Sequence, residues 1–123
     1  MANEISITSR LSASKGGTSV ANATTAFTID MTGDQMYQAN PSITTTAAAL
    51  TCSPVNQSNR YWLFVRNQDA TNEVWLSFNG GSTWPIVILP GESIGPILVA
   101  ASMTLWADAQ VATCICEVVA VEA

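Results

Sequence analysis

The side chains that carry most protein chemistry are scarce in this sequence, and histidine is absent. Without histidine the commonest general base is missing, and neither a Ser–His nor a Cys–His nucleophile pair can form. Asp30 and Asp34 are close enough in sequence to pair, but they flank Met31-Thr32-Gly33, which is typical of a strand end followed by a turn. The sequence therefore predicts no catalytic residue, no cofactor and no enzymatic activity.

One segment has the oxygen-rich character of a calcium loop. Asn67–Asn72 reads NQDATN, but it lacks glycine at its sixth position, and Phe78 stands where a calcium loop has its twelfth-position glutamate. Asn, Asp and Thr also stabilise turns by hydrogen bonding to their own backbone. We interpret the segment as a hairpin loop, with a calcium site and a carbohydrate contact as the alternatives.

The three cysteines are Cys52, Cys114 and Cys116. On a strand, Cys114 and Cys116 would share one face with Cα atoms roughly 6.5–7 Å apart, at or beyond the limit for a disulfide. A zinc site would need a fourth ligand, which the sequence lacks without histidine. The prediction is three buried free thiols, no metal, and a reducing compartment.

The composition predicts a subunit of an assembly. The chain has 123 residues, enough for one domain, which we predict to span residues 1–123 with 1–12 as a possible N-terminal arm or strand. Charged residues make up 11% of the chain, against about 25% in a typical soluble domain. So few charges leave a monomer poorly solvated, which indicates that much of the surface is covered by other chains.

The charge pattern argues against nucleic acid and membrane partners. The net charge is −5, and the only basic residues are Arg10, Lys15, Arg60 and Arg66. Phosphate backbones are bound by clustered Lys and Arg, and these four form no cluster in the sequence. No apolar run approaches the roughly 20 residues of a membrane span, and the N-terminus lacks the features of a signal peptide. We therefore expect synthesis in the cytoplasm without export by a classical signal.

Hydrophobic periodicity indicates strands throughout. Apolar residues alternate with polar ones, and Gly- or Pro-containing turns such as Asn79–Ser82 and Pro90–Glu92 recur every 8–12 residues or so. This predicts an all-β fold: an antiparallel β-sandwich, jelly-roll-like or barrel-like, with little or no helix. Residues 12–25 read as a loop, and residues 43–50 as a strand or a short helix. The predicted strands are 5–11, 27–31, 61–65, 74–78, 85–89, 94–99, 103–106 and 112–121.

Several of these strands are apolar on both faces, whereas an antiparallel sheet with one solvated face should alternate cleanly. Monomers rarely expose large apolar patches, and Trp is enriched at interface centres. The second apolar face therefore predicts an oligomer or partner interface. Its candidate residues are Ile5, Ile7, Trp62, Phe64, Trp75, Trp84 and Trp106.

One pattern of strands and turns covers the middle of the sequence. It consists of a strand, then Asn67-x-Asp69-x-x-Asn72-x-Val74-x-Leu76, then a proline-containing strand, and finally Leu89-Pro90-Gly91-Glu92. This pattern resembles a recurrent type of small virion protein of tailed bacteriophages. The opening Met-Ala-Asn-Glu-Ile-Ser with its alternating strand is similar as well. The resemblance covers most of the chain through turn and strand signals. It implies a β-sandwich that decorates the outer capsid as a homotrimer and bridges neighbouring major capsid subunits. It carries over no catalytic residue.

Two other functions fit the same residues. A carbohydrate-binding or receptor-binding module would use Trp62, Trp75, Trp84 or Trp106 to stack on sugar. A tail or head–tail component would share the virion setting but assemble as rings. The capsid decoration protein is the leading hypothesis, and the expected location is the surface of the virion.

Overall fold

Every regular element of residues 4–123, the part of the chain that this computed structural model describes, is a β-strand. All strand pairs are antiparallel, and the two larger sheets pack against each other as a sandwich, so the predicted fold class is confirmed. The chain divides into two compact units, one ending at Thr32 and the other running from Gly33 to Ala123. The expectation of one domain with residues 1–12 as an arm stays a prediction, and residues 1–3 of that arm lie outside the described residues.

The smaller unit contains two separate two-stranded sheets. In the first, β1 (Ile5–Ser9) pairs with β4 (Thr25–Ile29), which places Ile7 opposite Phe27. Directly opposite residues share a face of the sheet, so the apolar residues of both strands lie together. The strands predicted in these two regions are confirmed.

The second sheet corrects the prediction of a loop over residues 12–25. There, β2 (Ser12–Lys15) pairs with β3 (Thr18–Ala21) in a hairpin. Its turn contains Gly16 and Gly17 at φ 60° and 83°, in the left-handed region that favours glycine. Every residue of both strands is exposed. The hairpin therefore lacks the apolar alternation by which a strand is recognised in a sequence.

The larger unit begins with a five-stranded sheet. Its central strands are β8 (Tyr61–Asn67) and β13 (Cys114–Glu122), flanked by β11 (Ser93–Val99) on one side and β5 (Met36–Ala39) on the other. The short β6 (Ser42–Ile43) pairs with the beginning of β13. β8 and β13 each have a neighbouring strand along both edges. Their aromatic and β-branched side chains therefore have cross-strand neighbours on both faces of the sheet, an environment that favours such residues.

A β-bulge at Gly95 interrupts β11. Ile94 lies opposite Val65 and Ile97 opposite Leu63, so β11 has one residue more than β8 over this stretch. Gly95 has φ 95°, and a Cβ there would collide with the carbonyl oxygen of Leu63. Glycine is therefore required at this position by both the backbone conformation and the space available.

A four-stranded sheet forms the second layer. Its order is β10 (Ile86–Ile88), β9 (Val74–Ser77), β12 (Trp106–Ala109) and β7 (Ala48–Ala49). The region 43–50, left open between strand and helix, contains the end of β6 and all of β7. The strand predicted at 103–106 begins only at its last residue, because the preceding segment connects the two sheets.

The core lies between the inner faces of these sheets. Each fully buried Leu, Ile or Val side chain of this core contributes about 1.5–3 kcal/mol of transfer free energy to folding. The hydroxyl of Tyr61 donates a hydrogen bond to the carbonyl oxygen of Met103 at 2.8 Å, so its polar end is satisfied inside the core. The principal buried residues are Tyr61, Leu63, Val65, Val74, Leu76, Ile88, Leu105, Cys114, Cys116 and Val118.

Asn67–Asn72 connects β8 in one sheet to β9 in the other, so the hairpin loop predicted here is wrong. Apolar alternation is the same whether two consecutive strands pair or lie in facing sheets, and sequence alone does not separate the two arrangements. The turn chemistry itself is confirmed. The Asp69 Oδ1 atom accepts hydrogen bonds from the backbone N–H groups of Thr71 at 2.8 Å and Asn72 at 2.7 Å.

The fully buried Asn67 fixes this connection. Its Nδ2 atom donates to the carbonyl oxygens of Asn72 at 2.8 Å and Ile88 at 3.1 Å. Its Oδ1 atom accepts from the backbone N–H of Asp69 at 3.0 Å. One amide thus satisfies three backbone groups and links the connection to β10 of the opposite sheet.

Candidate functional site

The outer face of the five-stranded sheet, pointing away from the core, is largely apolar. Trp62 on β8 lies between Leu98 on β11 and Val121 on β13, and Val121 in turn lies opposite Met36 on β5. Paired residues project to the same side, so these four side chains form a continuous row across the sheet. We call this surface the five-strand face. Its two edge residues, Leu98 and Met36, are 45% and 60% exposed.

A second row extends the apolar surface along the strands. Phe64 on β8 lies opposite Val119 on β13, and both are half-buried. Further along β13, Ile115 projects to the same face and is 50% exposed. The five-strand face therefore presents seven apolar side chains: Met36, Trp62, Phe64, Leu98, Ile115, Val119 and Val121.

Polar side chains interrupt this face at two places: Gln38 on β5 lies opposite Val119, and an ion pair crosses β8 and β13 between Val119 and Ile115. There the Arg66 Nε atom lies 3.2 Å from the Glu117 Oε1 atom, on paired positions of β8 and β13. Arg66 is 47% exposed, and an ion pair so open to solvent contributes only about 0–1 kcal/mol to stability. The pair therefore separates Ile115 from the six apolar side chains that lie together around Trp62 and Phe64.

The outer face of the four-stranded sheet, which we call the four-strand face, carries the other tryptophans. Trp75 on β9 and Trp106 on β12 both point outward, at diagonal positions across the strand pair. Trp84, in the loop before β10, joins them. A Cβ on Gly81 would lie 3.2 Å from the Cζ2 atom of Trp84 and 3.9 Å from the Cε3 atom of Trp106. Both indoles thus lie over Gly81, within 4 Å of the position that its Cβ would take.

Hydrogen bonds hold the loop that carries Trp84. The buried Ser77 Oγ atom accepts from the backbone N–H groups of Asn79 at 3.3 Å and Gly81 at 3.1 Å. The Asn79 Oδ1 atom accepts from the Ser77 hydroxyl at 2.8 Å and from the backbone N–H of Thr83 at 3.0 Å. The predicted hairpin signal at Asn79–Ser82 is confirmed, because β9 and β10 pair directly on either side of this loop.

Two carboxylates accompany these indoles. Glu73 Oε1 accepts a hydrogen bond from the Trp75 indole N–H at 2.9 Å, which orients that ring. Asp108 lies directly opposite Trp75 on β12. Its Oδ2 atom accepts from the Gln110 side chain at 2.9 Å, while its buried Oδ1 atom has no hydrogen-bond partner among residues 4–123.

The structure separates the predicted interface residues into three places. Trp62 and Phe64 lie on the five-strand face, and the other three tryptophans lie on the four-strand face. Ile5 and Ile7 lie in β1 of the smaller unit and are buried, at 8% and 4% exposure. Each of the five aromatic residues is half-buried, neither enclosed in the core nor fully open to solvent.

Sequence reasoning missed the partners that complete the five-strand face. Leu98, Val121 and Met36 join Trp62 only through strand register, which local sequence does not give. The sequence of β13 does contain one indication of this apolar face. Residues 118–121 read VVAV, a run without polar alternation that indicates a strand with apolar neighbours on both faces.

The calcium alternative for Asn67–Asn72 gains no support from the geometry. Hydrogen bonds from Thr71 and Asn72 to the Oδ1 atom of Asp69 hold the pKa of that carboxyl below its ordinary value. Within the described residues, no group of three or more Cys, Asp or Glu side chains is placed to hold a metal ion.

The thiols of Cys52, Cys114 and Cys116 are free and buried, as predicted. Burial raises the pKa of the Cys52 thiol to about 11 and that of the Cys116 thiol to about 12. The pKa of Cys114 is also raised, first by burial and then by the nearby Asp69 carboxylate. Because the thiolate is the reactive form, these cysteines behave as small apolar core residues.

A cleft of about 360 Å³ opens between residues 51–58 and the segment that contains Ser102 and Thr104. Hydroxyl and amide groups line it, with no carboxylate, basic side chain or thiol. Such a lining forms hydrogen bonds but provides no acid–base pair.

No helix of residues 4–123 is long and apolar enough to cross a bilayer. No family model, curated protein or solved structure matches the chain. Its function is therefore argued from the two outer sheet faces and from the residues that build them.

Proposed function

We propose that this chain is a non-enzymatic structural subunit of a bacteriophage particle, a decoration protein that stabilises the head by bridging major capsid subunits as a homotrimer. The observation that carries the proposal is the five-strand face. Rows of apolar side chains on the outer side of a sheet are suited to being covered by protein.

The mechanism is burial of apolar surface between subunits. Each square ångström of apolar surface removed from water contributes about 25 cal/mol, less the cost of immobilising the partners. Trp62 and Phe64 lie side by side in the centre of the face, where interface residues contribute most. Repetition of one modest contact over a symmetric shell multiplies its effect, because later contacts form at high effective concentration.

The charge distribution supports a contact driven by burial instead of electrostatic attraction. Arg66 on the five-strand face is already paired with Glu117. The resemblance to small virion proteins of tailed phages supports a place in a phage particle, with the head as the leading hypothesis. The expected partners are further copies of this chain and the major capsid protein of the same virion.

Two measurements test the proposal. Light scattering on the purified protein should give three times the 13.0 kDa mass of the chain. The protein should also bind phage heads that lack it and raise the temperature at which they release DNA. A monomer that leaves such heads unbound and no more heat-stable refutes the proposal, and rings seen by negative-stain microscopy assign the chain to the tail or the head–tail connector instead.

A further inference from the structure

The four-strand face brings three indoles and a carboxylate into one cluster. Trp75 lies directly opposite Asp108, and Trp106 projects to the same side two residues before Asp108 on β12. Trp84 completes the cluster through its position with Trp106 above Gly81. All three indoles are half-buried, so each keeps part of its surface accessible while its orientation is fixed.

The charge around these indoles is negative. Glu73 and Asp108 adjoin the cluster, and both basic residues of the larger unit belong elsewhere: Arg66 is in β8 of the other sheet and Arg60 directly precedes it. Indole faces are themselves electron-rich and attract cations. The cluster therefore complements a positively charged group and repels an anion.

The unpaired Oδ1 atom of Asp108 also indicates a positively charged ligand. Its Oδ1 atom is buried without a hydrogen-bond partner in the described part of the chain, and Gln110 binds only the Oδ2 atom. A buried carboxylate oxygen left unpaired is costly, and such atoms call for a compensating group. A cation seated over the adjoining indoles offsets that cost through its electrostatic field.

We propose that the four-strand face accepts the side chain of an arginine or lysine from a partner protein in the particle. This inference rests on the proposed function, since it requires a protein packed against this chain. Arginine fits best, because its planar guanidinium stacks on an indole while its N–H groups reach a carboxylate. Of the four basic residues of the chain itself, Arg66 is already paired with Glu117.

The test uses the indole N–H signals of the ¹⁵N-labelled full-length protein, assigned by single Trp→Phe substitutions. The probe is N-acetyl-arginine amide, titrated at constant ionic strength, with N-acetyl-glutamine amide as the neutral probe of similar shape. We expect the arginine probe to shift the signals of Trp75, Trp84 and Trp106. Trp62, on the other sheet, is the internal control and should stay in place with both probes.

Asp108→Asn should weaken binding of the arginine probe by about three- to tenfold, the range of a cation site that loses its carboxylate. Glu117→Gln, which removes a carboxylate of the five-strand face, is the matched control and should leave it unchanged. The dispersion of the four indole signals shows whether each variant is folded, and Trp75→Phe provides a second variant should Asp108→Asn unfold.

The inference fails if the arginine probe moves none of the three signals, if the glutamine probe moves them equally, or if Trp62 responds alike. A response to cellobiose without one to arginine also refutes it and identifies a saccharide site. Light scattering on the same samples measures the oligomeric state, and so tests the proposed function separately from the cation site. Self-association through the five-strand face should be unaffected by Asp108→Asn, so either proposal can fail while the other stands.

Discussion

Replacement of the buried Asn67 should destabilise the larger unit more than any other single change of a polar side chain described above. Each intramolecular hydrogen bond contributes about 0.5–1.5 kcal/mol net, and a buried partner left unpaired costs about 1–3 kcal/mol. Asn67→Ala removes three such bonds and leaves the core carbonyl of Ile88 without its side-chain donor. We expect a loss of about 3–4 kcal/mol in the free energy of unfolding, a large part of the 5–15 kcal/mol typical of a domain.

Asn67→Asp sharpens the test, because it keeps the shape and the acceptor of the side chain. It removes both donors, places oxygen against two carbonyl oxygens and buries a charge. This variant should therefore lose at least as much stability as Asn67→Ala. The assay is urea unfolding at fixed protein concentration, followed by tryptophan fluorescence and far-UV circular dichroism.

Asn56→Ala is the matched control. Asn56 is exposed, and its side chain accepts one local hydrogen bond from the backbone N–H of Ser58 at 2.9 Å. Its removal should cost less than about 1 kcal/mol. If Asn67→Ala is within about 0.5 kcal/mol of the unaltered protein, the amide does not hold the two sheets as described, and the reasoning is refuted.

Three further predictions concern the fold. Gly95→Ala should cost about 2–3 kcal/mol through strain and collision, whereas Gly80→Ala, at φ 73° in open space, should cost only about 1 kcal/mol; equal losses in urea unfolding would contradict the bulge geometry. Burial raises the pKa of Cys52 to about 11 and of Cys116 to about 12, from their ordinary value of 9.0. Because the unfolded chain ionises these thiols first, their contribution to stability is complete below pH 9.0 and is lost as the pH rises to 11–12. Unfolding free energy should accordingly fall across that window, and a thiol reagent should label the native protein at pH 8 only after urea is added; rapid native labelling counts against buried thiols. The fragment 33–123 should unfold cooperatively by heat, because the main core cluster belongs wholly to the larger unit; a broad transition would show that the smaller unit is needed.

The sequence predicted the strands with strong side-chain preferences and missed those without. β8, β9 and β13 are rich in aromatic and β-branched residues, and the predictions for them agree with the structure to within a few residues. β2 and β3 consist of residues that are all exposed, so backbone pairing, extended by a hydrogen bond from the Leu11 N–H to the Asn22 side chain, maintains their hairpin. No periodicity marks such an element, and the prediction of a loop followed from that.

The candidate site could be predicted by residue type but not by location. Trp62 and Trp75 were expected on a second apolar surface, and each is indeed on the outer side of a sheet. That they lie on different sheets depends on whether β8 and β9 pair or face each other. The answer is set by Asn67–Asn72, whose bonds to β10 and to its own backbone are tertiary contacts that a single sequence does not reveal.

The most direct test of the account is the molecular mass of two charge variants in solution. Val119→Glu places a carboxylate in the middle of the five-strand face, beside Phe64, while leaving the core untouched. Val87→Glu makes the same change on the four-strand face, where Val87 is 44% exposed. We predict by analytical ultracentrifugation that the unaltered protein and Val87→Glu are trimers and that Val119→Glu is a folded monomer. A monomeric unaltered protein, or a Val119→Glu variant that remains a trimer, would contradict the claim that the five-strand face joins the subunits.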